Sequence, residues 1–294
     1  MGEPSESSSD RTIGRGPLIS ASALRSALAG DGAPVVLDVR GALGVVDPRG
    51  DHEAAHIPGS RYVDLDTELS GPHGLGLGRH PLPDPETFAA TATRWGVGPA
   101  TAVVAYDDNG GHSAARLWWL LRWVGHDDVR VLDGGLAAWK AAGGPIEAGA
   151  DPPAAPSPTP LVASAGAMRT VTADEILNGL SAVVVDARAA ERFRGDSEPV
   201  DPVAGHIPGA VNVPTAGNLA PDGTFLPPAE LRARFEAVGV REGGPPVVAY
   251  CGSGVTAAHE LIALEVAGLA AGSAMYPPSW SGWVSDPTRP VVTS

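Results

Sequence analysis

Short apolar runs alternate along the chain with longer segments that have helical spacing. The runs are rich in valine and lie at 34–39, 102–106, 129–132, 182–186 and 246–250. Continuous runs of this kind are typical of parallel strands that helices cover on both faces. The segments between them predict helices at 19–29, 85–95, 112–124, 172–180, 228–238 and 255–267. This alternation predicts an α/β fold in which mainly parallel sheets are flanked by helices.

Four sequence motifs occur twice, in the same order and at similar spacing. The pairs are VLDVR at 36–40 with VVDAR at 184–188, HIPG at 56–59 with 206–209, VVAY at 103–106 with 247–250, and LDGGLAAW at 132–139 with YPPSWSGW at 276–283. Such ordered repetition indicates a duplicated domain.

A proline-rich segment, GADPPAAPSPTP at 149–160, separates the two copies. Its composition is typical of a stiff, extended linker. We therefore expect a tail at 1–14, a first domain at 15–148, a linker at 149–168 and a second domain at 169–294. A stiff linker is expected to place the domains as a clamp with a cleft between them. A disordered loop that does not position the domains is the alternative.

Composition and charge exclude several classes of function. The 294 residues are 43% hydrophobic, and 20 Lys and Arg face 34 Asp and Glu, which gives a net charge of −14. A globular, acidic chain without a Lys/Arg cluster is not typical of a nucleic-acid-binding protein. The most apolar stretch, 261–275, contains Glu265 and is too short to span a bilayer, so no membrane association is expected. The polar N-terminus lacks the pattern of a signal peptide, so we expect a disordered tail and a cytoplasmic protein.

Reactive side chains are few, which narrows the chemistry. Cys251 is the single cysteine and Lys140 the single lysine. One cysteine allows neither an internal disulfide nor a thiolate zinc cluster. The acidic stretch at 107–109 does not have the ligand spacing of a calcium loop. We expect neither a metal nor a cofactor.

The two copies differ most after their VVAY motifs. The first continues Asp-Asp-Asn-Gly-Gly-His at 107–112, and the second continues Cys-Gly-Ser-Gly-Val-Thr at 251–256. Cys251 therefore follows a predicted strand and precedes a predicted helix, where parallel sheets place ligands. Gly252 and Gly254 let the loop curl so that its N–H groups converge on an anion at the helix N-terminus. A thiol there is expected to ionise readily and act as a nucleophile, although a buried structural cysteine is the alternative.

These motifs together resemble the two-domain rhodanese superfamily of sulfurtransferases. The resemblance covers about residues 15–294, and the loop at 251–256 is similar to that of the 3-mercaptopyruvate sulfurtransferase branch. Thiosulfate sulfurtransferases usually carry basic residues inside this loop. The resemblance implies a rhodanese fold in each half, with an inactive first domain and an active second domain. It also implies that a Cys251 persulfide carries sulfur from 3-mercaptopyruvate or thiosulfate to a thiol, cyanide or thioredoxin.

The resemblance also implies a set of site residues drawn from both halves. By this resemblance Arg192 is expected to hold the anionic group of the donor, and Ser253 is expected to act with Asp66 and His80 on the donor carbonyl or on a proton. The alternatives are a surface ion pair for Arg192, a Ser253 that only caps the loop and a His80 that is a solvated loop residue. The catalytic residues expected are Cys251, Ser253, His80 and Asp66, and the substrate-binding residues expected are Arg192, Arg194, His112, Gly252, Gly254, Val255 and Thr256.

One feature departs from the mercaptopyruvate pattern. Enzymes of that branch often have a second arginine farther along the loop that carries Arg192, where this chain has Val200 or Asp201. The departure weakens the case for tight carboxylate binding. For Arg194, a surface ion pair with Glu191 or Asp196 is the alternative to a binding role.

Three other functions compete with sulfur transfer by an enzyme. A cysteine phosphatase or arsenate reductase needs an arginine six residues after the cysteine, where this chain has Ala257. An α/β-hydrolase elbow needs glycines at positions occupied by Ala249 and Ser253. A sulfur carrier that delivers its persulfide to one protein partner, without turnover of small donors, remains an alternative.

Overall fold

The computed structural model describes residues 16–41, 44–153, 155–164 and 168–294, so the tail expected at 1–14 lies outside it. Each half contains a five-stranded sheet whose strands all run parallel. The strands of the first half are β1 (Leu18–Ile19), β2 (Val35–Arg40), β3 (Arg61–Asp64), β4 (Val103–Tyr106) and β5 (Val129–Leu132), and those of the second are β6 (Arg169–Thr170), β7 (Val183–Asp186), β8 (Val211–Asn212), β9 (Val247–Tyr250) and β10 (Ala274–Met275). The two sheets have the same order, β1-β5-β4-β2-β3 and β6-β10-β9-β7-β8. This equivalence confirms the duplicated α/β fold.

Helices cover both sheets. They are α1 (Ala21–Leu28), α2 (Pro48–Ala54), α3 (Pro85–Arg94), α4 (His112–Trp123), α5 (Gly135–Ala141), α6 (Ala173–Leu177), α7 (Ala190–Arg194), α8 (Pro228–Glu236), α9 (Thr256–Val266) and α10 (Ser279–Val284). All six expected helices are present within a few residues of their expected ends. Helices α2, α5, α7 and α10 were not predicted. They are five to seven residues long, and helices of that length show little helical period.

The repeated Asp-x-Arg motifs form matching buried ion pairs at the ends of β2 and β7. Arg40 Nε lies 2.9 Å from Asp38 Oδ1, and Arg188 Nη2 lies 2.7 Å from Asp186 Oδ2. In the second half, Arg188 also reaches Glu198, at 3.2 Å. This pair therefore anchors the loop that follows α7, and that loop lines the site described below.

The two halves meet through α4 and α9, which begin directly after the loops that follow β4 and β9. One continuous group of buried apolar side chains includes Leu117 and Leu121 of α4 together with Leu261 and Leu264 of α9. At the edge of this contact, Arg122 Nη1 lies 2.6 Å from a carboxylate oxygen of Glu265. The loops that follow both central strands are thereby brought to the boundary between the halves.

The described part of the linker at 149–168 lies along the first half. The N–H of Ser157 donates to the carbonyl of Thr93 at 3.0 Å, and the N–H of Ser164 donates to that of Val124 at 3.1 Å. No helix in the described part of the chain is long and apolar enough to cross a membrane.

Candidate active site

Cys251 is the first residue after β9, and its side chain is 1% exposed. The N–H of Gly254 donates to its Sγ at 3.1 Å. The N–H of Cys251 donates to Ser279 Oγ at 3.1 Å, and its carbonyl accepts from the N–H of Trp280 at 2.9 Å. Cys251 is therefore held through its sulfur by its own loop and through its main chain by α10.

The rest of this loop carries main-chain donors that no protein group uses. The N–H groups of Gly252, Ser253, Val255 and Thr256 have no hydrogen-bond partner among the described residues. Helix α9 begins at Thr256, so its N-terminal partial positive charge adds to these donors. Such a set of N–H groups can stabilise a negative charge beside Cys251.

The two glycines of the loop serve different purposes. Gly254 has a φ of +85°, and a Cβ there would collide with the carbonyl oxygen of Pro277. Gly252 does not have a left-handed φ, but a Cβ there would lie 3.1 Å from Nη2 of Arg79 and 3.6 Å from Nη1 of Arg192. The tight turn expected from both glycines is therefore made at Gly254, whereas Gly252 leaves room for two arginines.

Arg116 of α4 reaches from the first half to the loop of Cys251 and is completely buried. Its Nη1 donates to the carbonyl of Gly254 at 3.1 Å, and its Nη2 donates to the carbonyls of His80 and Pro81 at 3.2 and 3.1 Å. Burial lowers the pKa of Arg116 to about 10. The negative charge of an ionised Cys251 acts in the opposite direction, but its effect is smaller. A buried cation in this place attracts negative charge to the loop of Cys251.

Ser253, His80 and Asp66 form a chain of hydrogen bonds across the boundary between the halves. His80 Nδ1 lies 2.8 Å from Ser253 Oγ, and His80 Nε2 lies 3.2 Å from Asp66 Oδ1. The Asp66 side chain is 80% exposed, whereas that of His80 is 21% exposed. An ionised Asp66 accepts the Nε2 proton, which leaves Nδ1 to accept the proton of the Ser253 hydroxyl.

The surroundings of His80 keep its imidazole neutral. Burial lowers the pKa of His80, as does the positive charge of Arg116, and the opposing effect of Asp66 is smaller. A neutral imidazole beside a hydroxyl can take up a proton or relay one.

Arg192 of α7 faces the loop of Cys251 from the other side and is held by two carboxylates. It contacts Glu198 through Nε at 3.0 Å and through Nη2 at 2.6 Å, and its Nη2 also donates to Asp201 at 3.1 Å. Burial raises the pKa of Glu198, but the hydrogen bonds from Arg192 and from the loop N–H groups outweigh it and lower the pKa overall. Arg192 is thus held in place by two carboxylates of its own half.

Arg79, which the sequence analysis did not select, lies beside Arg192. Its guanidinium forms an ion pair with Asp201 across the boundary between the halves. The adjacent position of His80 in the sequence was the only signal for it. Arg116 was not predicted either. The signal for it was its position as the one charged residue in the apolar stretch 114–121.

Two residues expected at the site lie elsewhere. Arg194 is on the surface, where its Nε pairs with Asp196 at 2.8 Å, so the alternative of a surface ion pair is the correct one. His112 starts α4 and packs against His259, with ring centroids 4.6 Å apart. The structure therefore places neither of them with Cys251, because α7 turns Arg194 outward and the contact with α9 holds His112.

The equivalent loop of the first half is closed by its own side chain. Asp107 stands where Cys251 stands in the second copy and accepts from the N–H groups of Asn109, Gly111, Ser113 and Ala114 at 2.8 to 3.1 Å. Its carboxylate is completely buried. The donors that remain open beside Cys251 are already satisfied in this loop.

Comparison with known proteins agrees with this geometry. The family of the rhodanese-like domain matches residues 20–142 and 171–286, which correspond to the two halves. The chain belongs to the rhodanese-like family. A Pseudomonas aeruginosa protein provisionally named 3-mercaptopyruvate sulfurtransferase is 47% identical over 250 residues, 82% of this chain and 86% of that protein. A Mycobacterium tuberculosis protein provisionally named thiosulfate sulfurtransferase SseB is 46% identical over 280 residues, 94% of this chain and 97% of that protein.

Solved structures of rhodanese-like proteins share the architecture. The crystal structure of SseA from Escherichia coli, described as a 3-mercaptopyruvate sulfotransferase, is 32% identical with a TM-score of 0.77. It covers 90% of this chain, which in turn covers 99% of it. The names of all three relatives describe sulfur transfer, but they differ in the donor, which is 3-mercaptopyruvate for two of them and thiosulfate for the third.

Proposed function

We propose that this chain is a sulfurtransferase that moves a sulfane sulfur from 3-mercaptopyruvate or thiosulfate through a persulfide on Cys251 to a thiol, cyanide or thioredoxin. The observation that carries the proposal is the environment of Cys251. One N–H group donates to its sulfur at 3.1 Å, neighbouring N–H groups are open, and the buried cation of Arg116 lies beneath the loop. This environment suits both a thiolate and the outer sulfur of a persulfide.

With mercaptopyruvate, the Cys251 thiolate attacks the donor sulfur. The S–S bond forms as the C–S bond breaks, and the electron pair of that bond leaves on the carbon as the enolate of pyruvate. One proton converts the enolate to pyruvate, and the sulfur stays as Cys–S–SH. The hydroxyl of Ser253 lies at hydrogen-bond distance from His80. When it turns its proton from Nδ1 toward the donor, it can polarise the donor carbonyl or supply that proton, which solvent then restores to Ser253.

With thiosulfate, the thiolate attacks the outer sulfur and sulfite leaves with the electron pair of the S–S bond. The product is Cys–S–S⁻ and no carbonyl takes part, so Ser253 has no corresponding task. In either case cyanide then removes the outer sulfur as thiocyanate and regenerates the thiolate. A dithiol such as thioredoxin removes it as hydrogen sulfide and becomes a disulfide, since Cys251 has no second cysteine beside it.

Mercaptopyruvate is the better fit of the two donors. The Ser253–His80–Asp66 chain serves a carbonyl donor, and the loop residues 252–256 carry no cation of their own to hold a thiosulfate dianion. The arginines outside the loop offer a place for a carboxylate. A comparison of kcat/KM for the two donors tests this preference.

The decisive experiment is mass spectrometry of the intact protein. Incubation with donor alone is expected to add one sulfur, about 32 Da, and addition of cyanide is expected to remove it, because the intermediate is covalent. The Cys251→Ser variant is expected to show neither labelling nor turnover. Turnover by that variant, or the absence of any added sulfur on the native protein, contradicts the proposal. A single round of loading without turnover supports the sulfur carrier instead.

A further inference from the structure

A cavity of about 630 Å³ lies at the boundary between the halves, outside the site of Cys251. Its walls come from residues within 72–82 of the first half and from 170–174, 276–278 and Arg289 of the second. A volume of this size is usual for small-molecule sites. We propose that this cavity binds a free α-amino acid with an apolar side chain. The inference does not depend on the proposed function, because such a ligand carries no sulfane sulfur.

Most of the cavity wall is apolar. It includes Leu77 and Leu82 of the first half, Val171 and Ala173 of the second, and four prolines at 72, 81, 277 and 278. The Leu77 side chain is 47% exposed, so part of this apolar surface faces water. An aliphatic or aromatic side chain that covers the surface removes it from water, which favours binding.

Two unused hydrogen-bond donors belong to the same cavity. Arg289 donates through Nη1 to the carbonyl of Gly282 at 2.8 Å, and its Nε lies 3.5 Å from Asp286, but its Nη2 has no partner among the described residues. The buried hydroxyl of Tyr276 has no hydrogen-bond partner among those residues either. A buried polar group without a partner costs free energy that a ligand oxygen would recover. A guanidinium and a phenolic hydroxyl together suit a carboxylate.

Asp174 supplies the opposite charge to the cavity. It lies at the start of α6, and its carboxylate has no ion-pair partner in the described part of the chain. Burial raises the pKa of Tyr276 to about 12, and the charge of Arg289 lowers this pKa while that of Asp174 raises it, so both charges lie near the same hydroxyl. Asp174 repels a lone carboxylate and Arg289 repels a lone amine, whereas the zwitterion of an α-amino acid can pair with both.

The walls that carry these groups are held in place. The N–H of Gly76 donates to Ser285 Oγ at 3.1 Å, which fastens the first-half part of the wall to α10. Thr172 and Glu175 form a capping box at the start of α6, on either side of Asp174. A wall that is ordered before the ligand arrives lowers the entropy lost on binding.

The test is an NMR titration of the full chain with L-leucine and two analogues that each lack one charge. These are 4-methylpentanoate, which has no ammonium group, and 3-methylbutylamine, which has no carboxylate. We expect leucine to bind about tenfold more tightly than either analogue, or more, because each analogue loses one charged contact. Arg289→Met should weaken leucine and 4-methylpentanoate but not the amine, and Asp174→Asn should weaken leucine and the amine but not 4-methylpentanoate.

Tyr276→Phe removes a hydroxyl that has no protein partner, so the fold should be unaffected while leucine binds roughly two- to tenfold more weakly. The matched control is Arg232→Met, because Arg232 is a second-half arginine that pairs with Glu242 at 3.2 Å and does not line the cavity. It is expected to leave leucine binding unchanged.

Three results would overturn the inference. They are the absence of leucine binding to the native protein, equal binding of leucine and both analogues, and unchanged leucine binding in both Arg289→Met and Tyr276→Phe. Displacement of leucine by pyruvate would place the ligand in the site of Cys251 and would also overturn it. Sulfur loading of native Cys251 is measured separately, so the proposed function can stand while this inference fails.

Discussion

Asp107 and Cys251 occupy the same position in the two copies of one loop, but only Asp107 consumes the donors around it. Its carboxylate accepts four main-chain N–H bonds, whereas the sulfur of Cys251 accepts one from Gly254. One loop is thus satisfied internally and the other is open to a ligand. This difference gives a physical reason to expect chemistry in the second half alone.

Replacement of the Asp107 carboxylate should destabilise the fold without touching the chemistry. Asp107→Ala leaves four buried N–H groups unsatisfied, and we expect the free energy of unfolding to fall by roughly 3 kcal/mol. Urea denaturation measures the change, with the exposed Asp31→Ala as control. Sulfur loading of Cys251 is expected to persist at temperatures where the variant is folded. An unchanged free energy of unfolding would contradict the conclusion that the Asp107 carboxylate satisfies the N–H groups of its own loop.

Removal of the buried cation beneath the loop should make Cys251 less reactive. Arg116→Met takes away the charge that favours the thiolate, and we expect alkylation by iodoacetamide at neutral pH to slow about tenfold or more. Arg122→Met is the matched control, because Arg122 lies on the same helix and contacts α9 through Glu265. Equal alkylation rates in the two variants would show that Arg116 acts only through packing.

Loss of the Ser253 hydroxyl should separate the two donors. Ser253→Ala is expected to lower kcat/KM for mercaptopyruvate by about 10²–10⁴, the usual range for a positioned proton-transfer group. It should have little effect with thiosulfate, which serves as the internal control. His80→Gln should act alike, and the double variant should be no worse than either single one, since the two groups work as a unit. Equal losses with both donors would mean that Ser253 only shapes the loop.

The pH profile with mercaptopyruvate should report His80. Its pKa is lowered from the ordinary 6.5, chiefly by burial and then by Arg116, so the imidazole stays neutral as the pH falls through 6.5. We expect kcat/KM to stay constant as the pH falls to 6.5 and to decline only below that pH, when His80 gains a proton. Asp66 raises this pKa, so Asp66→Asn should move the decline to still lower pH. A decline that begins above pH 6.5, or that thiosulfate shares, argues against the assignment.

The lowered pKa of His80 also makes the stability of the fold depend on pH. Because the folded-state pKa of His80 is depressed, the unfolded chain takes up the proton first as the pH falls. The contribution of neutral His80 to folding is therefore present above pH 6.5 and is lost as the pH falls through the folded-state value.

Arg192 should matter both for donor binding and for the fold. Arg192→Ala is expected to raise KM for mercaptopyruvate roughly 10- to 150-fold, with acceptor kinetics unchanged. It also removes one of the two arginine partners from each of the buried carboxylates Glu198 and Asp201, which keep Arg188 and Arg79, so we expect roughly 2 kcal/mol of lost stability. Arg194→Ala, which breaks only an exposed pair, is the control for both measurements. Unchanged mercaptopyruvate kinetics would remove Arg192 from the binding site.

The fold was predictable where burial leaves a strong pattern. Val-rich runs marked β2, β4, β5, β7 and β9 because strands covered on both faces admit few polar residues. The edge strands β1 and β8 have two residues each and carry no periodicity. Helix α2 escaped notice because its sequence, PRGDHEA, is mostly polar and buries only His52.

Two kinds of site residue were predictable from the sequence: those that follow one another along the chain, and those that the family resemblance implies. Cys251 and its loop follow one another along the chain, so a strand end and a helix start sufficed to select them. Arg79 and Arg116 reach Cys251 through the packing of one half on the other, which no local pattern encodes. The purpose of Gly252 was hidden for the same reason, since the arginines that need its space lie far away in sequence.

The proposed site needs residues from both halves of the chain. The second half holds Cys251, the proposed nucleophile, but Arg116 beneath its loop and the imidazole that faces Ser253 belong to the first. The first copy, which has Asp107 at the position of Cys251, thus supplies part of the surroundings of the cysteine in the second copy. A gene split between residues 148 and 169 would yield a cysteine protein stripped of its counter-charge and its proton relay, and selection on Arg116 and His80 should be as strict as on Cys251 itself.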